Sequence, residues 1–358
     1  MSPSNRPSQV VFALSHLIVD LSCFYLLMGD FSRVVGDVAW ISLGFLLYNA
    51  GAFALQVPLG FLADRLPRST LHFGWSGCLL VLLGVLLAAF TSLSVWFCLA
   101  IGALGNGVFH IAGGIDSLVL ARGRFSRAGI FIAFGALGVA LGTLAGASGL
   151  VSIWWIALLL LGAGAAIFLA VRPVASIRPR SDFQLPPAPV RGAALIIVLV
   201  GVSIIVRAVV GAYTPIPWRS QPGLYLLPAL AVFIGKFAGG LLADRLGARR
   251  VAVVSLALAA PLLALANDNV LLCCLGLMLF NIITAVTLVL IAAQLPENPG
   301  FAFGLTTLGL FLGSSLSFFW AMSATLRPWW TIGLCALSIV CVLLTCGRRD
   351  FATMKKSG

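Results

Sequence analysis

The sequence is poor in charged residues. Only 9% of its 358 residues are Asp, Glu, Lys or Arg, whereas 61% are hydrophobic. Soluble domains carry roughly a quarter charged residues. A soluble fold of this length could not cover so much apolar surface with so few charges. The composition therefore excludes most soluble classes and predicts a protein embedded in a membrane.

Several chemical motifs are also missing. The eight cysteines show no CxxC or Cys/His ligand spacing, so we interpret them as small buried hydrophobic residues and expect no metal site. No HExxH, GxSxG or phosphate-cradling loop occurs, which argues against an enzyme and against a pump driven by ATP. We expect no catalytic residues and no cofactor, and we expect an ion gradient, that of protons, as the energy source.

What is present in abundance is long apolar runs. A span of the bilayer takes about 20 residues, and the runs predict twelve helices. Their approximate limits are 10–29, 40–62, 71–90, 94–120, 128–149, 152–171, 191–212, 223–243, 251–267, 269–292, 300–322 and 328–346. A proline-rich stretch, residues 173–190, predicts a cytoplasmic linker between an N-terminal bundle, 1–172, and a C-terminal bundle, 191–358. The expected fold is all-α, with two pseudo-symmetric six-helix bundles.

One heptad occurs twice, 180 residues apart. Gly60–Leu66 (GFLADRL) returns as Gly240–Leu246 (GLLADRL), with six of seven positions identical. Each copy ends an apolar run, where a carboxylate can pair with a nearby arginine or accept from the amides of a neighbouring helix N-terminus. A contact that forms in one transport state and breaks in the other would act as a cytoplasmic latch. Its predicted members are Gly60, Asp64, Arg65, Gly240, Asp244, Arg245 and Arg249. The alternative is that Asp-Arg merely solvates a turn and fixes topology.

The distribution of Lys and Arg predicts the orientation. With both termini in the cytoplasm, 17 of the 22 basic residues fall in cytoplasmic segments and three in outer loops. This asymmetry follows the positive-inside rule. The net charge of +12 is therefore expected to face anionic lipid of the inner leaflet, and no nucleic-acid partner is expected.

A few ionisable residues lie within the predicted spans. A charge at mid-bilayer costs about 2.5–3.5 kcal/mol, so each must be paired or must face a water-filled cavity. His16 and Asp20 are four residues apart on the first helix and can share a hydrogen bond and a proton. Asn106 and His110 belong to a small-and-polar stripe on the fourth helix, which either lines a cavity or packs against another helix. His16, Asp20 and His110 are candidates for proton coupling; the alternative is a structural polar clasp.

The second half carries the positive charges in its spans. Arg207 lies in the seventh predicted helix and Lys236 in the eighth. Together with Asn106 they are candidates for contacting an anionic substrate group. Ion pairs between the halves, such as Asp20 with Arg207 or Lys236, remain an alternative that does not exclude the first.

Three segments resemble a known family. Gly240–Arg250 (GLLADRLGARR) is similar over its whole length to the loop 2–3 signature of the major facilitator superfamily, whereas the first copy departs at Pro67 and Ser69. His16 with Asp20, and Gly105–His110 (GNGVFH), resemble the fosmidomycin-resistance-type branch of drug exporters. The fifth helix, Gly138–Gly146, resembles the Gly-rich antiporter motif, with Thr143 where that motif has Pro.

The resemblance implies a secondary transporter that works by alternating access. We expect a proton-coupled exporter of a drug-like or anionic compound, acting as a monomer in a bacterial inner membrane. The alternative is a proton-linked importer of a small organic anion or nutrient. A membrane-embedded enzyme or a sensor is a more distant alternative.

Overall fold

The structure is a computed structural model that describes residues 6–121, 123–170 and 179–347. Within these ranges it contains no strand, and twelve helices are long and apolar enough to cross a membrane. We number them α1 to α12: Ser8–Val35, Val38–Ala63, Ser69–Phe90, Val95–Val119, Phe125–Ser148, Ile153–Ala170, Ala193–Tyr213, Leu227–Leu246, Ala248–Leu265, Val270–Gln294, Pro299–Phe319 and Arg327–Thr345. The prediction of an all-α fold with twelve spans is confirmed.

Some predicted features lie outside the described residues. They are residues 173–178 of the linker and the basic residues Arg122, Arg172, Arg178, Arg348, Arg349, Lys355 and Lys356. The second part of the linker is fixed to the C-terminal helices. The Ser181 amide donates to the carbonyl of Pro296 at 2.7 Å, and the Val190 amide donates to that of Leu344 at 3.1 Å. The bounds of the two bundles stay a prediction.

Helix α1 is six residues longer at its end than the sequence indicates. A π-helical segment, Leu27–Phe31, continues it into a last turn that Gly36 ends with a φ of +69°. Asp30 and Arg33 suggested a loop, but they are one turn apart and form an ion pair of 3.1 Å on this extension. Pairing removes the cost of placing either charge on a helix near the membrane edge.

Helix α10 is interrupted in its middle. Regular helix runs over Val270–Asn281 and resumes at Thr284–Gln294, with a turn at Ile282 and Ile283 between them. The Thr284 hydroxyl donates to the carbonyl of Asn281 at 2.8 Å. This bond satisfies a carbonyl near the break, where the regular helical hydrogen bonds are interrupted. The interruption places a polar side chain at the centre of an otherwise apolar helix.

The arrangement of the helices is consistent with the repeat. Helices α4 and α10, which correspond across the 180-residue offset, are the most buried of the twelve. The two halves meet where α2 packs against α11 and where α5 packs against α8. Each of these interfaces contains one copy of the repeated heptad.

Candidate functional site

The first latch joins the end of α2 to the start of α11. Helix α11 begins at Pro299, and its first amides have no partner within the helix because helical hydrogen bonds begin four residues later. Asp64 supplies the missing acceptors from the other half of the chain. Its two carboxylate oxygens accept from the amides of Gly300 and Phe301, both at 2.8 Å. A carboxylate at this position also interacts favourably with the helix dipole.

The second latch repeats this contact at the end of α8. The carboxylate of Asp244 accepts from the amide of Phe125 at 2.7 Å and from that of Ser126 at 3.1 Å. Phe125 and Ser126 form the first turn of α5, whose own N-cap residue, Arg124, makes no side-chain cap. In each latch, a carboxylate of one half of the chain therefore caps a helix of the other half. We call the side of the molecule on which both lie the latch face.

Glycine makes both contacts close enough. A Cβ at Gly60 would collide with the carbonyl of Gly300, and one at Gly240 would lie 2.6 Å from the carbonyl oxygen of Phe125. Any larger side chain would separate the helices and lift each carboxylate from its amides. On this face the two halves are in backbone contact, so the structure is closed there.

Arginines in and just after the heptads lie beside the latches, and two of them donate to backbone carbonyls. Arg65 donates to the carbonyl of Phe61 at 2.7 Å and stacks over the Phe61 ring, and Arg249 donates to the carbonyl of Cys346 at 3.1 Å. Arg245 is exposed. Burial raises the pKa of the Asp64 carboxyl to about 6, against the lowering by the amides of Phe301 and Gly300 and by Arg65.

Among the membrane-spanning helices, α1 and α4 bring His16, Asp20, Asn106 and His110 into one cluster. All four residues are at most 8% exposed. His16 Nε2 is 3.2 Å from Asp20 Oδ2, and His110 Nε2 is 3.7 Å from Asp20 Oδ1. Asn106 donates to Asp20 Oδ1 at 2.9 Å. We call these four residues the buried cluster.

The hydrogen bonds of the two imidazoles determine where their protons lie. His16 Nδ1 is 2.8 Å from the carbonyl of Phe131, and His110 Nδ1 is 2.9 Å from the carbonyl of Asn106. A carbonyl oxygen only accepts, so both Nδ1 atoms carry hydrogen. In neutral imidazoles both Nε2 atoms would then present lone pairs.

Those two Nε2 atoms are only 2.8 Å apart. Two facing lone pairs repel, whereas one shared proton makes this distance a hydrogen bond. Held in this way, the pair of histidines would carry one proton beyond its neutral form. That positive charge would be balanced by the Asp20 carboxylate, and the cluster would be neutral as a whole.

Gly135 of α5 leaves room for this cluster. A Cβ at that position would collide with His16 Nε2 and lie 2.6 Å from Asp20 Oδ2. The ring of Phe131, one turn earlier, lies 4.7 Å from that of His16 and forms an apolar wall. The glycines of the antiporter-like pattern, Gly138, Gly142 and Gly146, also pack against the backbone of α1.

The second half contributes two cationic side chains. Arg207 on α7 is 6% exposed and donates from Nη1 to the Thr284 hydroxyl at 2.6 Å, at the break in α10. Lys236 on α8 is partly exposed and lies within electrostatic range of both Arg207 and Asp20. The structure does not join Asp20 to Arg207, since Asp20 binds within its own half. A salt bridge between the two halves is therefore not what holds these charges.

Two buried polar atoms in this central region lack a hydrogen-bond partner within the described chain. They are Oδ1 of Asn106, an acceptor, and Nη2 of Arg207, a charged donor. A buried donor on a charged group costs about 1–3 kcal/mol or more when it is left unsatisfied. These two atoms therefore have hydrogen-bonding capacity that the described chain does not use.

Sequence reasoning missed several partners in these sites. The carbonyl of Phe131 and the amides of Phe125 and Gly300 are backbone groups, which side-chain chemistry does not reveal. Thr284 carried a weak signal, since Asn281 and Thr284 are polar positions inside an apolar run. Pro299 followed by Gly300 could have located the first turn of α11.

The buried cluster also has the spacing of a metal site. His16, Asp20 and His110 each offer one ligand atom, and these atoms lie within 4.8 Å of one another. The expectation that the chain uses no metal stays a prediction, which the chelator experiment described below tests.

The chain is similar to known proteins in its fold and not in its sequence. No protein-family model matches the chain, and no curated protein matches it. Solved structures do match, among them the major facilitator superfamily transporter FucP in the outward conformation. It is 16% identical with a TM-score of 0.67, over 96% of this chain and 100% of that chain. The human organic anion transporter MFSD10 is 17% identical with a TM-score of 0.70, over 95% and 100%.

A bacterial homologue of the iron transporter ferroportin, in an outward-facing state, is 16% identical with a TM-score of 0.57, over 94% of this chain and 97% of that chain. At these identities the likeness establishes the fold, and the chain has the major facilitator fold. These neighbours are transporters and not enzymes, in agreement with the expectation from the sequence.

Proposed function

We propose that the chain is a proton-coupled secondary transporter that exports a small drug-like or anionic compound by alternating access. One observation carries this proposal: the 2.8 Å contact between His16 Nε2 and His110 Nε2, which one proton shared by the two rings and balanced by Asp20 would make a hydrogen bond. A buried group that must hold one proton to be neutral is suited to carry that proton across a membrane.

Release of the proton would couple to a change of conformation. Without it, the buried cluster holds an unbalanced carboxylate beside two facing lone pairs, and such a charge is stable only next to water or a counter-charge. The deprotonated cluster therefore favours a conformation in which water or a cationic group reaches it. Lys236, already within electrostatic range of Asp20, is a counter-charge for that state.

The substrate site is expected on the opposite side of the same central region. Arg207 and Lys236 provide positive charge, and the unpartnered Nη2 of Arg207 provides a donor for an anionic group. One structural neighbour is an organic anion transporter, which supports an anionic substrate. Another is the fucose:proton symporter of E. coli, which supports coupling to protons. That structure is 15% identical with a TM-score of 0.65, over 96% of this chain and 100% of that chain.

The direction of transport rests on the resemblance of the first half to fosmidomycin-resistance-type exporters. That branch assignment remains part of the proposal. So do a monomeric state, a bacterial inner membrane, and termini on the cytoplasmic side, which would make the latch face cytoplasmic. Proton-linked import is the second candidate, and the symporter among the neighbours favours it.

The test uses proteoliposomes with an imposed pH gradient and a panel of candidate compounds. Wild type should move a compound and a proton in opposite directions, and Asp20→Asn should abolish the response to the gradient. Asp268→Asn, on an exposed loop, is the matched control and should behave as wild type. A metal chelator should leave wild-type transport unchanged. If Asp20→Asn transports and moves protons like wild type, or if the chelator stops transport, the proton role of the cluster is wrong.

A further inference from the structure

A cavity of about 830 Å³ lies on the latch face, lined mostly by the C-terminal half and away from the buried cluster. It is bounded by the ends of α8, α10 and α12, the starts of α5, α7 and α9, and the segment 183–188. Pockets of about 300–1,000 Å³ enclose drug-sized ligands. The cavity is therefore large enough to hold a bound molecule.

The linker forms one wall of this cavity. Hydrogen bonds at Ser181 and Val190 fix the two ends of the segment 181–190 to the loop after α10 and to α12. Between them, Phe183, Leu185 and the prolines 186 and 187 line the space. Because both ends of the segment are held, this wall is a fixed part of the structure.

The chemistry of the lining is amphiphilic. Apolar side chains make up most of it, including Phe183, Ile196, Val253, Leu290 and Leu343. Three arginines at the junction of α8 and α9 also line it, namely Arg245, Arg249 and Arg250. None of the lining residues is acidic. The first turn of α9, at Ala248, adds the positive end of a helix dipole. The lining is complementary to a molecule with an anionic head and an apolar body.

The edge of the cavity combines exposed apolar side chains with exposed arginines. Leu246 and Val254 are 54% and 51% exposed at its edge, beside the exposed Arg245 and Arg250. Apolar side chains next to arginines are typical of the level at which acyl chains meet headgroups. A molecule can therefore enter from the bilayer, with its head at the arginines.

The chain's own C-terminus is a poor alternative occupant. The eleven residues after Gly347 contain four basic side chains and one acidic one. A cavity lined by three arginines repels such a segment. Charge complementarity thus favours a lipid over the tail.

We propose that this cavity binds an anionic phospholipid from the leaflet on the latch face, and that the lipid stabilises the conformation closed on that face. Phe125 and Arg245 connect the two events. The Phe125 amide donates to Asp244, the residue before Arg245, while both Phe125 and Arg245 line the cavity. Opening the latch face would withdraw Phe125 from α8 and remove one wall. A ligand that binds only the closed form shifts the equilibrium toward it.

The binding test is native mass spectrometry of the purified full chain with phosphatidylglycerol and with phosphatidylcholine of the same acyl chains. Wild type should retain phosphatidylglycerol preferentially. Arg245→Gln/Arg250→Gln should lower that retention about tenfold or more, since each basic residue near the headgroup contributes about 1 kcal/mol. Arg33→Gln/Arg219→Gln carries the same change of charge on exposed residues outside the cavity and should retain the lipid as wild type does.

A second variant separates cavity binding from adsorption to a charged surface. Ala293→Trp fills the cavity without changing charge and should also lower retention of phosphatidylglycerol about tenfold. If retention survives Ala293→Trp, or survives loss of the two arginines, the proposal fails. If deletion of residues 348–358 raises retention, the tail is the occupant and the proposal also fails.

The effect on conformation is measured by hydrogen exchange of the first turn of α5. Phosphatidylglycerol should slow exchange at Phe125 and Ser126 in wild type and not in Ala293→Trp, and equal exchange with both lipids would overturn the stabilising role. Only this second part rests on the proposed alternating access. Lipid retention requires no transport, so its failure would leave the proposed function standing, and loss of proton coupling would leave lipid binding standing.

Discussion

The latches and the buried cluster use the repeat in opposite ways. Asp64 and Asp244 lie 180 residues apart and make the same contact, each capping a helix of the other half with two backbone hydrogen bonds. The cluster has no such copy. The positions 180 residues after His16, Asp20 and His110 are Ile196, Val200 and Leu290.

This difference separates two tasks. Backbone amides at a helix start are the same in any sequence, so a latch that uses them can be duplicated without regard to the compound that is moved. Proton binding and recognition need particular side chains, and these occur once, with His and Asp in one half and Arg and Lys in the other. Substitutions at the latches should change the balance of conformations, and substitutions in the centre should change what binds.

The largest effect is expected when the two helices are separated at a latch. Gly60→Val places atoms where the carbonyl of Gly300 lies, and overpacking of this kind costs 1–3 kcal/mol or more. Amide exchange at Gly300 and Phe301 should become about a hundredfold faster. Gly162→Val is the control, because a Cβ there meets nothing within 4 Å. Slow exchange in Gly60→Val would show that the close approach is not required.

The second-largest effect is expected on ligand binding in the central region. Arg207→Gln should weaken binding of small carboxylates about ten- to a hundredfold, since hydrogen bonds to charged groups contribute about 1.5–3 kcal/mol. Thermal-shift titration with a panel of acids and their neutral amides measures this. Exchange at the latches should stay as in wild type without ligand. Unchanged affinity for every acid that binds wild type would remove Arg207 from the substrate site.

A smaller effect is expected from loss of one latch carboxylate. Removing a helix cap costs about 0.5–2 kcal/mol, so Asp64→Ala should speed exchange at Gly300 and Phe301 about 2- to 30-fold. Asp244→Ala should do the same at Phe125 and Ser126, and less strongly, since Asp244 is the less buried of the two. Ligand affinity should be unchanged in both. A larger effect from Asp244→Ala would reverse the order assigned to the two latches.

The smallest effect is a dependence on pH. Asp64 has a pKa of about 6 in the closed form, because burial disfavours its charge, and an ordinary value near 3.8 once exposed to water. The closed form therefore binds the proton more tightly and gains stability as pH falls through 6. Between pH 7.5 and 5.5 the closed form should gain about fourfold over the open form, measured by exchange corrected for intrinsic rates. The gain should vanish in Asp64→Ala; its persistence there would assign it to another group.

Much of the architecture could be predicted from the sequence. Apolar runs located all twelve helices, because membrane thickness fixes their length. The repeated heptad located the two positions that become latches. The extension of α1 was missed, because Asp30 and Arg33 read as loop residues until their pairing is known.

The centre could be predicted only as a set of candidates. The spacing of His16 and Asp20 placed them on one face, but the contact with His110 depends on how α1 and α4 pack. The interruption of α10 at Ile282 and Ile283 carries no Pro or Gly signal, so the position of Thr284 next to Arg207 could not be foreseen. Hydrogen bonds to backbone carbonyls, which set the tautomers, are likewise a property of the folded chain.

The most direct test of the account is nitrogen-15 NMR of the three histidines of the chain, with His72→Gln used to assign the signals. The account predicts that His16 and His110 both carry hydrogen on Nδ1, and that their Nε2 atoms share one proton with a coupling between the two nitrogens. Asp20→Asn, which removes the balancing charge, should abolish that coupling. Two neutral imidazoles with unprotonated Nε2 atoms in the wild type would contradict the shared proton, and with it the proposed mechanism of coupling.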